Sequence, residues 1–417
     1  MTSAEWTAYS KALRSGRFVK LTRMSFLNPD GSVAFSLDND PMNRRSGPWI
    51  RDGSVSCNFQ NGARWSASVL LDNTDETYDY NVNKVWFGTE ISLEMGVLLE
   101  DGSEIYLPMG VYRVDSPQEA LAGNRRTIAY TLKDKWAGID GTLNGVLESS
   151  YIVNEGTNIF TPIAALLATD RGDGQPYDRE IPVFTEYYNG KTQMLPGGGT
   201  VPITNAPYTL TVDNDNGTVA EVVLGLADML VASVGYDATG RLRIEPSQND
   251  IVDSDKPVAW RFSLDEAQVT ELAYESRIAD VRNDYIVVGM MMDDYTQPSI
   301  RVQNLDPRSD TNVNLIGRRT TRESKPEFAT QRICQDYATW MLKRAAVLHK
   351  AVTITSNQIF HLGVNELIEI IRTDRNDRVE RHLVQGFTIP LTGTQPMTIT
   401  ATSVHDFPSV TVTTWGG

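Results

Sequence analysis

Four histidines, His349, His361, His382 and His405, all lie in the last third of the chain. Imidazole is the side chain best suited to acid–base work or metal binding near neutral pH. His361 and His382 flank the stretch ELIEIIRTDRNDRVE and would approach each other across a hairpin. No cysteine or carboxylate stands at metal-ligand spacing from them, so they read as ordinary strand or core histidines. Asp213-Asn214-Asp215-Asn216-Gly217 clusters oxygen ligands of the kind calcium takes. Gly217 stands where a third ligand belongs, however, and Leu224 where the bidentate glutamate should be, which leaves a polar turn. Gly197-Gly198-Gly199 precedes TVPITN, which opens no helix, and so reads as a loop tip rather than a phosphate cradle.

Cys57 lies in the alternating run SVSCNF, which suits a packed small side chain better than a nucleophile. Arg318, Arg319, Arg322 and Lys325 form the main basic cluster, either a solvated loop or a docking patch for an acidic partner. Trp65, Trp86 and Trp340 fall at core positions and build no stacking ladder for sugars or bases. There is no G-x-S-x-G elbow, H-E-x-x-H, Walker loop or G-x-G-x-x-G opening a helix. The sequence therefore assigns no catalytic, cofactor-binding or metal-binding residue, and no enzymatic activity.

The 417 residues carry a formal charge of -15 and are 41% hydrophobic. That is a globular composition with room for several cores, and its acidity argues against a protein whose main task is holding nucleic acid. The two cysteines, Cys57 and Cys334, each sit in a segment that reads as regular structure, which argues against a disulfide framework and makes a reducing place of synthesis the default. The start MTSAEWTAYSKALRSGRF reads as a short amphipathic helix, not a signal peptide. The most apolar segment, Val219 to Val234, is interrupted by Glu221 and Asp228, so no membrane span is expected.

Positioning elements follow from periodicity. RFVKLTRMSFLNPDGSVAFSL, from Arg17 to Leu37, alternates on both sides of Asn28-Pro29-Asp30-Gly31, a hairpin turn. SVSCNFQ and ARWSASVLLDN continue the strands, and Glu100-Asp101-Gly102-Ser103 turns ISLEMGVLL into EIYLPMGVYRV. An antiparallel barrel or sandwich is expected there. After Gly141 the pattern becomes helical: Ile159, Ile163, Leu166 and Leu167 share a face behind Asn158 as cap, with Pro162 in the first turn. Thr218 and Glu221 form a capping box for a helix to about Ser233, followed by a hairpin on Asp237 to Gly240. VRNDYIVVGMMM is a strand. Ser324 with Glu327 reads as a second capping box, with Pro326 in the first turn and Ile333, Tyr337, Met341 and Leu348 at helical spacing. Strands AVTITS, ELIEIIR, RHLVQGFTIPL and PMTITATSV close the chain.

The two β-rich ends match in kind and order. EISLEMGV, an acidic turn, GVYRVDS and TIAYTLKD answer to ELIEIIR, an acidic turn, LVQGFTIPL and TITATSVHD, an internal repeat of poor identity. Its period is far too long for a solenoid. The lead LAYESRIADVRNDYIVVG, the helix FATQRICQDYATWMLKRAAVL, the run AVTITSNQIFHLGVNELIEI and the middle segment DMLVASVGYDATGRLRIEP together make the chain, over roughly Arg17 to His405, resemble the central tail-hub or baseplate-hub proteins of long-tailed bacteriophages and related contractile injection systems. It departs from them at Gly363-Val364-Asn365-Glu366, where members of that group often show Gly-Asp.

The resemblance implies a mainly β fold with an α+β insertion: two tail-tube-like antiparallel β-barrels in one chain plus a mixed α/β domain. The expected division is a first barrel with the N-terminal helix over 1–140, the insertion over 141–263, a second barrel over 264–408 that includes a polar insertion and a helix at 325–348, and a C-terminal tail at 409–417. It further implies a homotrimeric hub at the virion tail tip, made in the host bacterial cytoplasm. Partners would be a distal tail or tail tube protein, a tape-measure protein and a central spike or fibre, with transient non-specific passage of DNA and no cofactor. The other function class is a tail-tip protein that binds the host envelope or acts on carbohydrate, which needs paired carboxylates in an aromatic cleft or an added domain.

Overall fold

The computed structural model describes residues 1–417 apart from 17, 40–48, 79–81, 83, 84, 86, 87, 195–198, 247–255, 265–268, 277, 278, 280, 293, 294, 327, 347–349, 405–409 and 415–417. Arg17, Trp86, Gly197, Gly198, Glu327, Leu348, His349 and His405, singled out above, lie outside the described residues.

Helix α1 (Ser3–Ser15) opens on a complete capping box between Thr2 and Glu5 and ends on Gly16 in the left-handed region. Seven strands follow: β1 (Val19–Leu27), β2 (Val33–Asp38), β3 (Ile50–Asn58), β4 (Trp65–Asp72), β5 (Glu90–Leu98), β6 (Glu104–Ala122) and β7 (Arg125–Asp134). The β1–β2 and β5–β6 turns are the ones the sequence marks. In each, an aspartate, Asp30 or Asp101, accepts from the serine two residues on. Alternation in β4, with Trp65, Ala67, Val69 and Leu71 buried, shows why one face is core.

The middle segment contains helices α2 (Phe160–Leu167) and α3 (Val219–Leu230) and short strands β8 (Tyr151–Val153), β9 (Val183–Phe184), β10 (Thr192–Met194), β11 (Thr200–Pro202), β12 (Leu210–Val212), β13 (Ala232–Tyr236) and β14 (Leu242–Pro246). Asn158 accepts from Phe160 N–H at the entry to α2, and Thr218 with Glu221 caps α3 reciprocally. Helix α3 stops at Leu230 rather than Ser233. Val231 turns left-handed at φ 53, and Ser233 pairs in β13. Ile163, Leu167, Val219, Val222, Val223 and Leu226 build a core separate from that of the β ends.

The rest of the chain forms β15 (Val258–Ser263), β16 (Val269–Ser276), β17 (Asp284–Val288), β18 (Ser299–Asn304), β19 (Thr320–Ser324), helix α4 (Gln331–Ala345), β20 (Lys350–Ser356), β21 (Leu367–Arg372), β22 (Arg378–Pro390), β23 (Met397–Ser403) and β24 (Val410–Thr414). Helix α4 begins later than the Ser324 signal suggests. Ser324 stays in β19, paired with Val288, and Lys325 N–H donates to Val288 O, so Pro326 precedes the helix and Thr330 caps it. Strands β19-β17-β18-β24 make a four-stranded sheet under α4, with Ile333, Cys334, Ala338 and Leu342 buried against it. In the 363–366 turn Asn365 takes φ 63, a conformation asparagine tolerates better than most residues.

Strands β1–β7 and β15, β16 and β20–β23 form one 13-stranded sheet. Its first part runs β1-β5-β6-β7-β4-β3, with β2 outside β1. Its second part runs β15-β21-β22-β23-β20-β16. Substituting β15 for β1, β16 for β3, β20 for β4 and β21–β23 for β5–β7 converts one order into the other, in the same sequence order. The repeat read from the sequence falls on β5–β7 and β21–β23. Both middle strands carry a register shift against the next strand, between Val114 and Ser116 and between Val384 and Gly386. The mainly β class with an α+β insertion is thus the class observed. One pairing differs: β1 is antiparallel to β5, whereas β15 is parallel to β21.

Gly53, at φ +143, sits where a Cβ would stand 2.2 Å from Ser68 O and 2.9 Å from Leu391 Cδ1. Gly53→Ala is expected to lower unfolding stability by about 2–4 kcal/mol. Gly102→Ala, at a turn with open space around it, should cost only about 1 kcal/mol. Urea unfolding of the two variants checks the difference.

Candidate assembly surface

The two halves of the long sheet meet where β22 leaves β21. Up to Leu383, β22 pairs with β21, and from Gly386 to Pro390 it pairs antiparallel with Asn58 to Ser54 of β3. Phe59 N–H donates to Gln385 O at 2.7 Å and Leu391 N–H to Gly53 O at 2.8 Å, so the ladder extends beyond both named strands. Ser56 and Thr388 hydroxyls meet at 2.9 Å, and Phe387 packs edge-on against Trp65 at 5.7 Å. Strand β1 reinforces the join: Thr22 Oγ1 donates to Leu391 O at 2.8 Å and Lys20 Nζ to Pro390 O. Burial of the Lys20 ammonium pushes its pKa down to about 7.

A second junction seats the middle segment on the first β unit. Gly62 N–H donates to Val234 O, Gly110 N–H to Ala238 O, and Trp65 Nε1 to Tyr236 O at 3.1 Å. Beneath lies a buried ionic cluster. Arg113 bonds Glu90 Oε1 at 3.2 Å and Tyr177 O at 3.1 Å, Arg179 pairs with Glu90 Oε2, and Lys135 pairs with Asp178 while donating to Gly240 O at 3.0 Å. Lys135 and Asp178 side chains are 2% and 0% exposed, so their charges depend on each other. Asp134, which accepts from Arg64, Trp65 and Trp136 N–H groups, is pushed up to about 6 by burial in spite of those bonds. The sequence reading missed this cluster. In the sequence Lys135 stands in the charged triplet Lys133-Asp134-Lys135 ahead of Trp136, a composition that resembles a solvated turn and so gives no sign of burial.

Helix α1 braces the opposite end of the chain. Tyr9 accepts from Phe360 N–H at 3.1 Å and donates to His361 Nδ1 at 3.1 Å, and His361 Nε2 in turn donates to Ala259 O at 3.2 Å. Trp6 and Trp260 pack edge-on to the imidazole, and Arg14 lies over Trp260. Only a neutral ring completes this relay, and burial pushes the His361 pKa down to about 4.

The other residues named from sequence are dispersed. His382 is buried on β22, 3.8 Å from Glu380, with Tyr274 as its ring neighbour, and shares none of these partners with His361. No group of three metal-ligating side chains occurs among the described residues. Cys57 is fully buried in β3 beside the join, and burial pushes its thiol up. The basic cluster divides: Arg319 donates to Val281 O, Lys325 lies near the Phe328 and Tyr337 rings, and Arg318 and Arg322 are exposed. A groove of about 1030 Å³ runs between the first unit, the β13–β14 hairpin and the 360–366 loop. Two of its acids serve their own loops, Asp237 accepting from Thr239 and Glu366 from Gly363.

The sequence matches no protein family profile and no curated protein. Solved structures match the fold along nearly the whole chain. A tail protein from Neisseria meningitidis MC58 superposes with a TM-score of 0.55 at 10% identity, covering 93% of this chain and 97% of that one. The 43 kDa tail protein of prophage MuSo2 from Shewanella oneidensis gives 0.54 at 13% identity, over 92% and 98%. Prophage tail protein gp18 from Listeria monocytogenes EGD-e gives 0.50 at 10% identity, over 92% and 94%. At these identities the likeness is one of fold.

Two measurements probe these junctions. Asp178→Asn, which strands the Lys135 ammonium, should cost about 3–5 kcal/mol, and the paired change Lys135→Met with Asp178→Leu should cost less; thermal and urea unfolding compare them. Unfolded His361 takes up its proton below about pH 6.5 while the folded ring resists until about pH 4. Stability is therefore lost as pH falls through that window, by about 2 kcal/mol between pH 7 and pH 5. His361→Gln should flatten that part of the pH–stability curve.

Proposed function

We propose that the chain is a structural hub of a phage tail tip. Three copies close into a ring of six β units that matches a hexameric tail tube or distal-tail ring on one side and holds a central spike or fibre on the other. The ring leaves a channel for DNA and the tape-measure protein. The observation that carries this reading is the duplicated strand order joined edge to edge within one sheet. A chain that already links two equivalent units laterally has the repeat needed to continue around a ring, and cyclic closure pairs the lateral edges that an open row would leave exposed.

The three tail proteins of similar fold support the same reading. The division proposed with it is a first unit over 1–140, an insertion over 141–263, a second unit over 264–408 and a tail at 409–417. Strand β15 contributes to the second part of the long sheet from within the insertion range, and β24, from within the tail, pairs with β18 of the four-stranded sheet. With a formal charge of -15, the hub would repel passing DNA rather than retain it. Its role is to hold partners in register, with no chemistry of its own, in the virion tail tip after synthesis in the host cytoplasm.

Native mass spectrometry with class-averaged electron micrographs tests the reading. Three copies of 46.4 kDa in a ring with an open centre and six lobes are expected. A compact monomer at every concentration up to the millimolar range would overturn it and favour the envelope-binding or carbohydrate-active class.

A further inference from the structure

The join inside the chain has a counterpart that no described strand fills. In the second unit, β22 beyond its register shift lies between β23 and β3. In the first unit, β6 beyond its register shift, Ser116 to Ala122, pairs with β7 on one side. Its other side carries no described strand. The strand equivalent to β3 is β16, which pairs with β20 and forms one end of the long sheet. Among the described residues, the open edges of β6 and β16 are therefore the equivalents of the two edges joined within the chain.

We propose that β6 of one copy pairs antiparallel with β16 of the next, in the register that the internal join specifies. This rests on the hub reading and deepens it by naming the surface through which copies associate.

The ladders fix the register. Ser116 opposes Thr131, Thr131 opposes Ser68 and Ser68 opposes Ser54 in the first unit. Gly386, Thr400, Thr353 and Ala273 follow the same path in the second. Ser54 thus corresponds to Ala273. Its partner Pro390, four residues beyond Gly386, corresponds to Ala120, four beyond Ser116. Ala120 therefore faces Ala273 of the neighbouring copy, and Leu121 faces Leu272.

Burial supports that register. Leu391, which donates to Gly53 O across the internal join, is 0% exposed, whereas its counterpart Leu121 is 70% exposed. On the facing strand Val55 is 0% exposed and its counterpart Tyr274 is 37% exposed. The same positions are buried where the join exists and open where it awaits a second copy. Facing side chains are compatible as well: Gln118 meets Glu275, Glu119 meets Tyr274 and Ala122 meets Glu271, so no like charges stand directly opposed. Pro117 removes one donor from the free edge of β6, which discourages indiscriminate strand addition before the correct edge arrives.

Ala120 and Ala273 fall between the hydrogen-bonded pairs set by Leu391 and Gly53, where Cα atoms approach to about 4.5 Å and a disulfide fits. Oxidised Ala120→Cys/Ala273→Cys protein is expected to run as covalent dimers and trimers without reductant and to collapse to the single chain with it. Moving the second cysteine to Thr270 should abolish the ladder of bands. Co-expressed single variants should stop at dimers, because no chain then carries both halves of the contact. A native trimer that fails to cross-link in this register would overturn the β6–β16 contact and leave the hub reading standing. A monomer by native mass would remove both.

Discussion

A strand edge must be paired or protected, and the architecture of this chain follows from how that requirement is met between β22 and β3. The Gly386 to Pro390 segment satisfies two neighbours at once, β23 and β3. Without it the chain would hold two small sheets, each with an open edge and a half-exposed core. With it, Leu391, Val55 and Cys57 are sealed in a single apolar core spanning both ends of the sequence. The glycines at this point follow from close approach. A Cβ on Gly386 would stand 2.5 Å from Asn58 Oδ1 and 2.9 Å from Cys57 O, so the ladder closes only where the side chain is absent.

The remaining contacts fix the angle at which the halves and the middle segment sit. Thr22 and Lys20 reach across from β1, Tyr9 from α1 ties onto the loop before β21, and the Lys135–Asp178 and Arg113–Glu90–Arg179 pairs lock the β13–β14 region onto β6. Helix α4 extends the bracing from the other side, with Arg332 donating to Gln193 and to Met229 O. These bonds are specific in direction and geometry, whereas apolar burial alone would tolerate sliding.

Much of this was legible in the sequence because it is local. The Asn28–Gly31 and Glu100–Ser103 turns, the Thr218/Glu221 box and the likeness of β5–β7 to β21–β23 rest on residues within a few positions of one another. What was not legible depends on residues far apart. The Ser324 signal has the composition of a helix cap, yet parallel pairing with β17 keeps Ser324 in a strand. His361 and His382 are near in sequence, but one turns to α1 and the other into β22. Neither Lys20 nor Leu121 carries any local mark of its role. One is set by a carbonyl 370 residues away, the other by an edge that only the sheet order reveals.

The two β units diverge where their duties differ. Along β5–β6–β7–β4–β3 and β21–β22–β23–β20–β16 every pairing is antiparallel in both. The exception is the outer strand, antiparallel as β1 and parallel as β15. Running antiparallel, β1 can return at once through the Asn28–Gly31 turn to β2, and its Lys20 and Thr22 side chains can reach the β22–β3 join. Running parallel, β15 follows the β13–β14 hairpin in the chain and completes the second unit beside β21. Between β16 and β20 the second unit also accepts the β17–β19 and α4 insertion, where the first unit has only the link from β3 to β4. Duplication supplies equivalent edges, and these departures make the fused pair asymmetric: one end carries the brace and the other the appended domains.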